Sequence, residues 1–398
     1  MPAKPCPSYN GAAMLTFAGF VTLTIWAYML LGHGNFWRTS RMLPWPARVP
    51  LERISVVAVV PARNEADVVA ACVTSLLTQT IPIRLVLVDD NSTDGTSGVA
   101  RAAAQAAGEE DKLTVLTGTP LPQGWSGKLW AVHQGVTKAN EFAPDYLLLT
   151  DADILHSRES VAMLATIAQQ GRFDLVSFMV RLYCQTFAEK ALIPAFVFFF
   201  FMLYPPEWIR DARRKTAGAA GGCMFIRREV LERAGGIESI RTEIIDDCAL
   251  ARRVRSTGSK VWLGVSPETQ SIRPYGTFAD IGAMISRSAF NQLHHSALLL
   301  AISIIGLAIT YLLPIALLFS GHATAAWCGA ISWALMAICF WPTLKFYRLH
   351  PLWSLALPAI AVFYMGATLH SAIMYWRGKG GRWKGRVQDP ARNSLEGR

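Results

Sequence analysis

The sequence predicts an α/β domain with a mostly parallel sheet, combined with membrane-spanning α-helices. Three observations carry this. Between Gly34 and roughly His295, short β-rich runs alternate with helical patterns. Outside that region lie uncharged apolar segments, residues 11–32, 297–321, 323–341 and 352–376. The composition is 52% hydrophobic and 17% charged, against roughly 25% charged for an ordinary soluble domain. A formal net charge of +10 suits nucleic acid or anionic membrane. The apolar content selects the membrane.

Each element follows from its own pattern. Residues 11–32 carry no charge and as a helix span about 33 Å, enough for a bilayer core of roughly 30 Å. A cleaved signal peptide would have a shorter apolar region and a small-residue site after it. Here "HGNFWRTSRMLPWP" follows, aromatic and basic, so the segment reads as an anchor. Arg38, Arg41 and Arg48 after it place the next region on the cytoplasmic side. Strands are expected at 54–60, 83–88, 112–118 and 146–150, and helices at 65–79, 96–108 and 127–139. The domain is drawn as 34–294, the C-terminal membrane helices as 295–376 and a basic tail as 377–398. Segment 191–208, "ALIPAFVFFFFMLYPPEW", is too short to span. It reads as an interfacial helix flanking a lipid, or as a buried core helix. Three full C-terminal crossings would put the tail opposite the middle domain. Its seven basic and two acidic residues argue for the same side, with one segment then re-entrant or interfacial. A reporter fused after Arg398 separates these topologies.

The seven cysteines form no CxxC pair, and no HExxH occurs. Neither a disulfide framework nor a zinc site is indicated, and the cysteines read as packing residues.

In open α/β sheets, ligands collect beyond the carboxyl ends of the strands. Three polar clusters fall there: "PARNE" (61–65), "DDNSTDGT" (89–96) and "DAD" (151–153). Residues i and i+2 of an extended segment share a side. Asp151 and Asp153 therefore present carboxylates together, which favours a nearby cation. A hard divalent ion, Mg²⁺ or Mn²⁺, takes oxygen ligands and shares them with substrate phosphates. The plainer alternative is a turn with Asp153 capping a helix. Asp89 and Asp90 suit hydrogen bonding to a base and ribose, or an Asx turn, or both. Asp246 and Asp247 open a helix that continues with Arg252, Arg253 and Arg255. They complement the helix dipole, or serve as a general base with mutually raised pKa values. Spacing alone favours the dipole. Lys128 is a helix-start lysine or a phosphate contact.

The strings "VVPARNEADVV", "VLVDDNSTDGT", "GKLWA", "LLLTDADI", "GGCMFIRRE" and "IDDCALARR", in that order, resemble membrane-bound family 2 nucleotide-sugar glycosyltransferases of GT-A fold. Among these they are most similar to the hopene-associated group of hopanoid-producing bacteria. The resemblance extends to "RSAFNQL" and the final "WKGR". It implies an inverting, metal-dependent transfer from a nucleotide-diphosphate sugar, UDP-linked, to a lipid acceptor in the bilayer. It assigns the nucleoside pocket to Pro61, Arg63, Glu65, Asp89 and Asp90, and the metal–diphosphate to Asp151 and Asp153. Asp247 becomes the base and Asp246 its neighbour, reversing the dipole reading. Gly221, Gly222 and Cys223 would lie against the acceptor. One departure stands out. The Q/RxxRW motif of related synthases is replaced by "ISRSAFNQL", leaving Arg287, with Trp383 and Arg386 of the tail, to fill its role. Transfer to a polyprenyl phosphate or a glycan, and a non-enzymatic lipid-binding scaffold, are the alternatives.

Overall fold

A computed structural model describes residues 9–42 and 53–378, with strand residues 382–383 and 386–387. Arg48, Cys6 and most of the basic tail lie outside the described residues. The chain divides into two compact units. One comprises Ser40–Gln185, Pro206–Gly276 and Ile373–Arg398; the other comprises Met1–Thr39, Thr186–Pro205 and Thr277–Ala372. The single stretch 34–294 expected for the α/β domain is thus interrupted. Residues 186–205 group with the membrane helices, because that segment is apolar around its whole circumference and buries against them.

The first unit is built on an eight-stranded sheet. Its strands are β1 (Val56–Ala62), β2 (Arg84–Asp89), β3 (Leu113–Thr117), β4 (Tyr146–Thr150), β5 (Ile154–Leu155), β6 (Leu175–Arg181), β7 (Cys223–Arg227) and β8 (Val261–Ser271). Its order is β3-β2-β1-β4-β7-β6-β8-β5. The first half is parallel, with Val57 opposite Arg84, Val56 opposite Tyr146 and Leu85 opposite Leu113. The second half is mixed, since β7 runs antiparallel to both β4 and β6, and β5 antiparallel to β8. The sheet is therefore less uniformly parallel than the βα alternation of the first half suggests.

Strands β1 and β4 are buried along their whole lengths, so both faces are covered and their sequences run apolar without alternation. The covering helices include α1 (Val69–Leu77), α2 (Thr96–Ala106), α3 (Gly127–Asn140), α4 (Ser160–Gly171) and α5 (Asp246–Ser256). Helix α3 lies unusually close to the sheet at Gly135. A Cβ there would sit 2.4 Å from Val59 Cγ1 and 3.0 Å from Val88 Cγ2. Only glycine allows that approach.

In the second unit, Gly11–Leu31, Ala297–Leu318, Ala323–Phe346 and Pro351–Trp376 are long and apolar enough to cross a membrane. The segment expected to be interfacial forms the helix Phe187–Leu203, opened by a capping box between Thr186 and Glu189. Phe198 and Phe201 are each 1% exposed. Phe198 packs against Phe36 in a tilted arrangement and against Phe340 edge-on, with ring centroids 5.2 Å away in both cases. The buried-core alternative describes this face. Serine substitution across Phe198–Phe201 would open the core rather than report on lipid docking.

Gly135→Val should destabilise the α/β unit by about 1–3 kcal/mol through overpacking. Gly98→Ala on α2, where nothing lies within 4 Å, should leave it unchanged or slightly more stable. Thermal unfolding of the two variants beside the parent chain checks this.

Candidate active site

The site forms where β1, β2 and β4 end together. Register places Ala62 beside Asp89, so the loops after β1 and β2 emerge side by side and tie to each other. Asp90 N donates to Ala62 O at 2.8 Å. Ala66 N donates to Asp94 Oδ2, and Glu65 N to Thr96 Oγ1, both at 2.9 Å. Asn64 and Asn91 take positive φ, 52° and 53°, a conformation asparagine tolerates. Asp89 realises the Asx turn: Ser92 N donates to its Oδ1 at 2.8 Å, and Ser97 Oγ donates to its Oδ2. Asp90 is 1% exposed and pairs with Arg63 at 3.3 Å. Turn and carboxylate wall are one structure.

The second part of the site is a chain of opposite charges. Ser126 caps α3 by accepting from Leu129 N, which sets Lys128 on the first turn. Its Nζ lies 3.0 Å from Asp151 Oδ1 and 3.2 Å from Asp246 Oδ2. Burial alone would lower the Lys128 pKa, but Asp151 and Asp246 outweigh it and hold it above the usual lysine value. Asp151 itself is raised, by burial first and by Asp153 and Asp246 next, against the pull of Lys128. Asp153 caps no helix, since α4 starts only at Ser160. Instead its Oδ2 accepts from Ser271 Oγ at 2.6 Å and pairs with Arg273 Nε at 3.5 Å. The same guanidinium grips Glu65.

Asp247 stands apart from these ion pairs. Gly221 N donates to its Oδ2 at 2.8 Å and Cys248 N to its Oδ1 at 2.7 Å. Burial and then the neighbouring Asp246 push its pKa up to about 6, with those donors and Lys128 opposing. Such a value suits a base near neutral pH. Thr150 Oγ1 donates to Gly222 O at 2.7 Å and contacts His156 Nε2 at 3.0 Å. The single hydroxyl proton is spent on Gly222, so His156 donates from Nε2. Its burial keeps the ring neutral, lowering its pKa to about 4.

Among the described residues, no three His, Cys, Asp or Glu side chains gather as a metal cluster. Asp151 and Asp153 alone would hold a hard divalent ion. That donor set fits Mg²⁺ or Mn²⁺, which take one or two carboxylates and complete their shell with phosphate oxygens and water.

Pro61, Lys128, Asp151, Gly221 and Asp246 line one cleft. Glu65 and Asp153 meet through Arg273, and Arg63, Asp89 and Asp90 form the wall at β1 and β2. Cys223 is a correction. It is 0% exposed inside the core cluster, opposite Thr150 in the β4–β7 ladder, so its side chain cannot face an acceptor. Gly222 likewise points inward, where a Cβ would meet Ile154 and Val180 at 3.3 Å. Arg287 belongs to the other unit, at the end of the helix Phe278–Ser286. Trp383 and Arg386 pair in a short antiparallel ladder, and their side chains lie outside the described residues. Arg273 and Ser271 were not anticipated. The available signal was an arginine within a polar run directly after a long buried strand.

A mixed sheet with carboxylates along the edge of its parallel half is a GT-A-like fold. Over residues 57–235 the chain matches the family described as Glycosyl transferase family 2. It is similar to 4,4'-diaponeurosporenoate glycosyltransferase of Staphylococcus aureus. The strain bovine RF122 / ET3-1 protein is 29% identical over 126 residues, covering 31% of each chain. The strain MRSA252 protein is 30% identical over 122 residues, covering 30% of each. The chain thus spans about a third of the length of these curated relatives. A solved mannosyltransferase from Pyrobaculum calidifontis, in complex with GDP-Man and Mn2+, is 20% identical. The match covers 91% of this chain and 98% of that one at a TM-score of 0.51, which shows the fold.

The sign of the Asp247 shift gives a pH dependence. A raised carboxyl takes up its proton as pH falls through about 6, and the base is lost below that. The rate of any reaction using it should fall on an acid limb near pH 6. Asp246→Asn removes the neighbouring negative charge and should move that limb to lower pH. Profiles of kcat/KM for both chains check the direction.

Proposed function

We propose that the protein is a metal-dependent, inverting glycosyltransferase. It moves a sugar from a nucleotide-diphosphate sugar, UDP-linked, to a hydroxyl of a hopanoid-related membrane lipid, with its catalytic unit on the cytoplasmic face of a bacterial inner membrane. The observation that carries this is the cleft at the carboxyl edge of the sheet, where Lys128 joins Asp151 to Asp246 with Asp247 beside them. The family 2 domain supports transfer of a sugar. The relatives named for 4,4'-diaponeurosporenoate support a lipid-related acceptor, and the apolar helices supply a bilayer context. The neighbour solved with GDP-Man and Mn2+ supports a nucleotide sugar and a divalent ion.

The chemistry follows from the residues. Asp89, Asp90 and Arg63 hold the nucleoside against the paired β1 and β2 loops. The diphosphate lies over Asp151 and Asp153, and a divalent ion bound there would neutralise the leaving diphosphate. Asp247 accepts the proton of the acceptor hydroxyl. The acceptor oxygen bonds to the anomeric carbon from the face opposite the diphosphate, and the bond from that carbon to the diphosphate oxygen breaks, inverting the centre. Gly221, by donating its backbone N–H to Asp247, aims that carboxylate.

Two measurements test the reading. Lipids extracted from cells with and without the chain, compared by mass spectrometry, should differ by one glycosylated species. With a labelled sugar nucleotide, Asp247→Asn should cut transfer by about 10²–10⁴, and Asp151→Ala should weaken it through the donor. Full transfer by either variant refutes the role given to that residue. A product on polyprenyl phosphate would reassign the acceptor.

A further inference from the structure

Asp151 and Asp153 each hold a basic side chain of the protein itself. Lys128 lies 3.0 Å from Asp151, and Arg273 lies 3.5 Å from Asp153. Arg273 is placed there by the backbone. Ile154 pairs with Ser271, Ile272 N donates to Asp153 O at 2.9 Å, and Arg273 N donates to Ser271 Oγ at 3.3 Å. The far side of its guanidinium grips Glu65, which is 8% exposed and lies in the loop after β1. One arginine therefore spans the nucleoside wall and the diphosphate carboxylates. It is not a surface side chain that drifted onto a nearby acid.

Resting on the reading above, we propose that Lys128 and Arg273 are exchangeable counter-ions. They neutralise Asp151 and Asp153 in the arrangement described here, and they pass to the diphosphate oxygens when a divalent cation takes the carboxylates. The net charge of the cleft is conserved: one dication enters against Asp151 and Asp153 together with the two negative charges of the diphosphate, and the released pair meets those charges while staying beside Asp246 and Glu65. The planar fork of arginine matches two phosphate oxygens, while lysine acts as a point charge. An ion held by Asp151 and Asp153 would bring phosphate oxygens beside Lys128 and Arg273, since both side chains already contact those carboxylates. Arg273 thereby becomes a leaving-group contact supplied by the α/β unit itself.

The exchange predicts opposite effects on two ligands, which loss of structure would not produce. The full-length chain in detergent is titrated with Mn²⁺ alone, then with UDP, GDP and uridine in saturating Mn²⁺. Arg273→Gln removes a competitor for Asp153, so it should bind Mn²⁺ alone more tightly. It should bind the preferred nucleoside diphosphate about 10–100-fold more weakly, the value of one charge-assisted contact, with uridine unaffected. Arg273→Lys keeps the charge without the fork. It should match the parent for Mn²⁺ and lose part of the diphosphate affinity, and it is read alone if the glutamine variant does not fold. Parallel weakening of Mn²⁺ and diphosphate in Arg273→Gln, or unchanged diphosphate binding by either variant, overturns the exchange alone. A parent chain that binds neither UDP nor GDP overturns the functional reading with it.

Discussion

The ammonium of Lys128 between Asp151 and Asp246 is the interaction on which the site depends. Five carboxylates, those of Glu65, Asp151, Asp153, Asp246 and Asp247, gather at one edge of one sheet. Two unit charges 4 Å apart interact by roughly 4 kcal/mol at an effective dielectric of 20, so such a group cannot stay ionised without cations threaded through it. Lys128 and Arg273 are those cations. Their placement is a property of the fold. Lys128 rides on the first turn of α3, and α3 can reach the strand ends because Gly135 lets it settle onto Val59 and Val88. A helix held farther out would carry the ammonium away from the β4 carboxylate.

Asp247 escapes this neutralisation, and that difference separates two adjacent carboxylates into two roles. Asp246 spends its charge on Lys128. Asp247 accepts two backbone N–H groups but sits beside an anion in a buried place, which raises its pKa. A buried carboxylate with a raised pKa is suited to acid–base chemistry. The dipole account of the α5 start is also true, since both aspartates occupy its first turn. The dipole explains why acids are tolerated there, and the contacts explain which one remains basic.

What could be read from the sequence divides along a physical line. The parallel half of the sheet was legible because strands buried on both faces leave uninterrupted apolar runs, and their ends are marked by the polar turns that follow. Asp89, Asp90, Asp151 and Asp153 were legible for the same reason, each standing within three residues of the end of such a run. The mixed half was harder, since β7 and β8 insert between strands remote in sequence. The resemblance set Cys223 against the acceptor beside two glycines, yet strand alternation turns it into the core, as the reading of the cysteines as packing residues expects. Arg273 was invisible because its partners are remote in sequence, Glu65 lying 208 residues away and Asp153 standing before β5, which meets β8 only in the folded sheet. The helix Phe187–Leu203 hid its packing for another reason. A helix apolar all round has no periodic stripe to show which face is buried.

A shared cation has a consequence that separate ion pairs would lack. In the function proposed above, Asp151 serves the diphosphate side of the cleft and Asp246 the acceptor side, and Lys128 Nζ lies about equally far from both. Whatever draws the ammonium toward one carboxylate weakens its hold on the other. Charge entering on the diphosphate side then reaches the Asp246–Asp247 pair without any movement of backbone, and binding free energies couple reciprocally. The coupling is short, electrostatic and carried by one flexible side chain. Under the proposed function, it makes the ionisation of Asp247 depend on what lies across the cleft, so that proton acceptance there and charge development on a departing diphosphate would be parts of a single balance.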